Sequence, residues 1–135
     1  MSKVRSWLLI LALGCQAGAM AGDLAQRTPQ GLDYLSGGVG EDERQAMLAA
    51  RDDYNLRMTF ATRISGEYLA DVALTVFDRT GTPVATATSD GPWCYLKLDP
   101  GSYRVVATMH GKQLQQTVVI KPNGARELYF YWDPQ

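Results

Sequence analysis

The sequence predicts a mainly β protein, a sandwich of seven antiparallel strands preceded by one short helix. Three observations carry that expectation. From Leu56 onward, apolar and polar residues alternate with the period of two of a half-buried strand. Clusters of Gly, Pro, Asp and Asn interrupt the alternation roughly every 10–13 residues, the spacing of short strands in a sandwich. After residue 54 no helical pattern long enough to bridge two parallel strands separates the runs.

The first 21 residues read as a leader. Lys3 and Arg5 give a positive start, Trp7 to Leu13 an apolar run, and Ala19-Met20-Ala21 the small-x-small pattern that a signal peptidase accepts. The apolar run is about seven residues, against the roughly 20 that cross a bilayer. The expectation is a signal peptide at 1–21, cleaved after Ala21, and a periplasmic or secreted product without a transmembrane segment. The alternative is lipid attachment at Cys15, in Ala12-Leu13-Gly14-Cys15, which would anchor the protein to a membrane face.

Cleavage alters the composition. Of 135 residues with net charge −1, it leaves 114; two of the 13 basic residues go and none of the 14 acidic ones, for a net charge of −3. That balance excludes the basic stripe of a nucleic-acid binder. One of the two cysteines leaves as well, so Cys94 is alone and stability must come from core packing rather than a disulfide.

Residues 22–40 contain Thr28-Pro29-Gln30-Gly31 and Ser36-Gly37-Gly38-Val39-Gly40 and are expected to form a flexible lead-in. Leu32, Tyr34 and Leu35 are the residues able to pin it to the body. Residues 41–54 are expected to form the helix. Glu41, Asp42 and Glu43 suit the positive end of its dipole, and Ala46, Met47, Ala50 and Tyr54 give a narrow apolar stripe.

Seven strands follow within the domain 55–135, at 55–63, 69–78, 83–88, 93–98, 102–109, 112–120 and 126–132. Leu56, Met58 and Phe60 face one side of the first. Val72, Leu74 and Val76 do so in the second, and Val105, Ala107 and Met109 in the fifth. Asp99-Pro100-Gly101 suits a turn with proline fixing φ and glycine at positive φ. His110-Gly111 is the tight link of a hairpin.

The turns also carry a resemblance. Gly81-Thr82-Pro83-Val84, then Ser89-Asp90-Gly91, then Leu98-Asp99-Pro100-Gly101-Ser102-Tyr103-Arg104-Val105 resemble the carboxypeptidase regulatory-like domain. The resemblance covers about residues 55–132. It implies a sandwich of the transthyretin (prealbumin) type and a non-catalytic module. Such modules usually sit beside a larger domain; this protein instead resembles a stand-alone envelope form. A hydroxyisourate hydrolase of the same fold class needs several His and a Tyr-Arg-Gly-Ser tail, whereas this sequence has one His and ends in Tyr131-Trp132-Asp133-Pro134-Gln135. A Lys–Asn isopeptide lock lacks its lysine, since the first strand carries Arg57 and Arg63.

Candidate chemistry is sparse. Cys94 and His110 are the one nucleophile–base pair available, but Cys94 is in phase with Leu96 and Leu98 on the expected core face. One Cys and one His do not supply a transition-metal site. Glu41, Asp42 and Glu43 read as a solvated helix start rather than a calcium site. Gly37-Gly38-Val39-Gly40 has neither the preceding strand nor the following Gly-Lys of a phosphate cradle and reads as a hinge. Neither an enzyme nor a cofactor is expected.

A binding face remains. With Cys94, Leu96, Leu128, Phe130 and Trp132 inward, Trp93, Tyr95, Tyr129 and Tyr131 point outward as candidate binding residues. The expected partner is another cell-envelope protein. The alternatives are a glycan stacked on these four rings, or a structural subunit that pairs through a sheet edge. The helix or the lead-in packing over the rings would turn them into a second small core.

Overall fold

A computed structural model describes residues 24–134, so the expected leader and Cys15 lie outside the described residues. Among the described residues the chain forms two sheets and one complete α-helix. In order these are β1 (Ala25–Arg27), β2 (Asp33–Gly37), α1 (Gly40–Ala50), β3 (Leu56–Thr62), β4 (Val72–Phe77), β5 (Pro83–Ser89), β6 (Trp93–Leu96), β7 (Gly101–Met109), β8 (Lys112–Ile120) and β9 (Arg126–Trp132). A 3-10 turn over Arg51–Asp53 extends the helix. The larger sheet has the order β1-β2-β6-β3-β9 and the smaller β5-β4-β7-β8.

Alternation builds the core. Leu56, Met58 and Phe60 from β3, Val72, Leu74 and Val76 from β4, Val105 and Ala107 from β7, and Leu128, Phe130 and Trp132 from β9 join one buried cluster fed by both sheets. Burying each of the Val, Leu, Met and Phe side chains among them is worth about 1.5–3 kcal/mol. Phe60, Phe130 and Trp132 pack ring to ring in it, with centroids 5.8 to 6.2 Å apart. The β7–β8 hairpin turns on His110 and Gly111, at φ 48° and 76°, with Met109 paired to Lys112. Positive φ at both loop positions matches the turn's twist to that of the strands.

Two expectations need correction. The lead-in is not loose: residues 25–37 form β1 and β2, bringing the strand count among the described residues to nine rather than seven. The reason is a set of tertiary hydrogen bonds. The Asp90 N–H donates to Ser36 Oγ over 3.1 Å, Gln26 donates to the Asp90 carboxylate over 2.8 Å, and the Tyr34 hydroxyl donates to Gln26 Oε1 over 2.6 Å. The close approach of Gly91 to Gly37 makes this docking possible, since a Cβ at Gly91 would lie 2.3 Å from the Gly37 carbonyl oxygen.

Nor is every pair antiparallel. β9 runs parallel to β3, from Leu56 opposite Arg126 to Thr62 opposite Trp132. The backbone reaches β9 from β8 in the other sheet, so no hairpin constrains the direction in which it enters beside β3. β2 and β3 also point the same way, each antiparallel to β6 between them. The helix is the crossover between β2 and β3, and it therefore passes over β6. No described helix is long and apolar enough to cross a membrane.

Candidate functional site

Register places the candidate residues in two cross-strand rows on the outer face of the larger sheet. One row runs Leu35, Tyr95, Arg57, Glu127, and the next runs Gly37, Trp93, Thr59, Tyr129. Tyr131 stands beyond Tyr129, opposite Ala61. All four predicted rings point outward as their phase requires, but the structure divides them into two pairs.

The β6 pair is covered. Tyr95 is buried with Leu35 and Met47, and half-buried Trp93, Ala50 and Tyr54 pack around them. This second small core exists because α1 crosses β6 and presses Met47 onto the sheet. The Gly38 backbone lies over the Trp93 indole, where a Cβ would come within 3.2 Å of the ring. The helix start suits its place: Glu43 accepts a hydrogen bond from the Val39 N–H, and Glu41 is held by Gln45 and Arg44, which lower its pKa.

The β9 pair is open. Tyr129 and Tyr131 are 49% and 43% exposed, and their rings stack at 6.3 Å with an interplanar angle of 8°. Between the helix and β9 lies a groove of about 240 Å³, floored by Arg57, Thr59, Trp93 and Tyr95 and walled by Leu48, Arg51, Tyr68, Glu127 and Tyr129. Its depth comes from Thr59, a small residue between two large rings in its row.

Charge closes one end. Arg51 pairs with Glu127 across the groove, and the Tyr129 hydroxyl donates to the other Glu127 oxygen over 3.4 Å. Arg57 lies beneath, its side chain only 13% exposed, with Nε donating to the Arg51 carbonyl over 3.2 Å. Local pattern carries no warning of Arg57. It reads as one of the solvated residues alternating with Leu56 and Met58, and its burial depends on partners 6 and 70 positions away. Burial raises the Tyr95 hydroxyl pKa, while Arg51 and Arg57 pull it down in part.

The remaining candidates fall elsewhere. The Cys94 thiol is fully buried and pushed up to about 12 by desolvation, despite a hydrogen bond from Ser89 that lowers it. It is a thiol, not a thiolate, at neutral pH. His110 sits exposed in the β7–β8 turn. Glu41, Asp42 and Glu43 occupy the first turn of α1, and among the described residues no cluster of three metal-ligating side chains occurs. No family model matches the chain, and no curated protein matches it.

Proposed function

We propose that this protein is a non-catalytic β-sandwich of the prealbumin type, similar to carboxypeptidase regulatory-like domains and exported to the periplasm or secreted, that binds another cell-envelope protein. In support of the fold, the seven strands between residues 56 and 132 divide as three and four between two sheets around one core. The β1–β2 hairpin is then an addition at the edge of β6. In support of a non-catalytic role, the one described thiol is buried and protonated, and the one His lies in a hairpin turn of the other sheet.

The observation that carries the binding reading is the stacked, exposed Tyr129–Tyr131 pair beside an open groove. Tyr, Trp and Arg dominate the energetics of protein contacts, and this face combines all three. Small-molecule sites usually offer about 300–1,000 Å³. A groove of about 240 Å³ suits one anchoring side chain of a partner better than a whole ligand. A glycan resting on four rings is less well served, because Tyr95 is buried. Pairing through a sheet edge is disfavoured on two strands. Gln30 occupies the β5 edge by accepting from the Thr86 N–H, and Gln116 occupies the β9 edge by donating to the Tyr129 carbonyl.

The test is co-purification from cells with Tyr129→Ala and Tyr131→Ala combined. The variant should fold normally and lose its partner. Val119→Ala, at an exposed position of β8 in the smaller sheet, should keep it. Equal recovery with wild type and both variants would refute the reading.

A further inference from the structure

Three arginines line a second hollow, away from the tyrosine face. It has a volume of about 540 Å³, lies where β7 and β8 pass the β4–β5 turn, and is bordered by Arg79, Arg104 and Arg126. The ion pairs among the described residues use Arg27, Arg44, Arg51, Arg57 and Arg63, and none of these three. The one carboxylate in the lining, Asp78, is committed to its own turn. Its Oδ1 accepts from the Thr80 N–H over 2.9 Å, the Thr80 hydroxyl over 2.6 Å and the Thr82 N–H over 3.0 Å. The lining therefore carries a net charge of +2, in a chain whose net charge is −1.

Each arginine also has a fixed support. Arg79 rides on the turn that Asp78 ties. Arg104 lies over the Phe77 ring, 4.3 Å from its centroid, and donates once to Gln115 over 3.4 Å. A guanidinium has five N–H donors, so that single bond leaves most of them for a ligand. Arg126 opens β9, with its backbone N–H bonded to the Asn55 carbonyl over 2.8 Å. Thr117 stands opposite Arg104 on the outer face of the smaller sheet, and with Ser102 it adds two exposed hydroxyls to the lining.

We propose that this hollow binds a phosphate monoester. Such a group carries a charge of about −1.5 to −2 at neutral pH and three strong acceptor oxygens, which match the net charge of the lining and its donors. The planar fork of arginine bonds two phosphate oxygens at once, and a carboxylate would leave one positive charge unanswered. The groove beside Tyr129 has no such excess, because its arginines are ion-paired with Glu127 and Asp52. The volume falls within the roughly 300–1,000 Å³ of small-molecule sites, so part of the carrier enters with the phosphate. A lipid headgroup and a soluble phosphate ester share this chemistry. The hollow has no lining residue in common with the groove, so the proposal stands independently of the protein contact.

The experiment titrates the ¹⁵N-labelled protein with glycerol phosphate, glycerol and acetate, and floats it with phosphatidylcholine vesicles with or without phosphatidic acid. Glycerol phosphate should shift the Ser102, Arg104 and Thr117 amide signals saturably, and glycerol should not. Acetate should bind more weakly than the phosphate by about tenfold or more, as should the phosphate to Arg79→Gln or Arg104→Gln with their spectra still dispersed. Arg63→Gln, outside the hollow beside Asp133, should bind as wild type does, and so should Tyr129→Ala. Flotation only with phosphatidic acid would support the proposal with a lipid headgroup as ligand. Saturable glycerol phosphate binding without flotation would support it with a soluble ester. Equal binding of acetate and phosphate, equal weakening by Arg63→Gln, or neither saturation nor flotation would overturn it.

Discussion

Arg51 and Glu127 lie 76 positions apart in sequence and close an ion pair across the groove, joining the end of the helical segment to β9. Both side chains are about 40% exposed, so water and salt screen the pair. The pair is expected to contribute about 0.2–1 kcal/mol. Urea unfolding of Arg51→Ala, Glu127→Ala and the double variant gives the coupling energy. A coupling above about 2 kcal/mol would show that the helix is held by this contact rather than by Met47.

Gly91 is the position where the β1–β2 hairpin is keyed to the body. A methyl group there meets the Gly37 carbonyl, and neither backbone can yield without moving a strand. Gly91→Ala is expected to cost about 1–3 kcal/mol or more. Hydrogen exchange should speed up first at residues 33–37. Gly81→Ala is the control: it has open space around it but a φ of 84°, so only local backbone strain of about 1 kcal/mol is expected. Uniform exchange across all nine strands in Gly91→Ala would contradict the keyed hairpin.

The pH dependence follows from the buried thiol. The Cys94 pKa is raised from an ordinary 9.0 to about 12 in the folded protein, so the folded state holds this proton longer than the unfolded polypeptide does. The associated stability is complete below the unfolded pKa and is lost as pH rises from about 9 towards about 12. Tyr34, Tyr54, Tyr95 and Tyr103 are also raised by burial and act in the same direction. The urea midpoint should therefore fall above about pH 9, and less steeply in Cys94→Ala, which keeps only the tyrosine part. A midpoint that rises with alkaline pH would contradict this.

Much of the fold is legible in local sequence, and the limits have a common cause. The seven strands from Leu56 to Trp132 follow from alternation, and the His110-Gly111 turn from the φ values that a two-residue hairpin demands. Inward and outward phase is also local, which is why Cys94, Phe130 and Trp132 fall in the core as their spacing requires. What covers an outward residue is not local. Trp93 and Tyr95 point out of the sheet just as Tyr129 and Tyr131 do, yet only the first pair lies under the helix, because β2 and β3 flank β6. The same limit hides the direction of β9, the hairpin of β1 and β2, and the burial of Arg57. Each depends on which strands become neighbours.

The central claim is that the face around Tyr129 and Tyr131 contacts a partner protein in the cell envelope. Site-specific photo-crosslinking tests it most directly, with benzoylphenylalanine placed at Tyr131 on that face or at Val119 on the opposite sheet. The expected result is one discrete protein adduct from position 131, diminished by Tyr129→Ala, and none from position 119. Adducts of equal yield from both positions, or none from position 131 in cells where the protein is folded and exported, would contradict it.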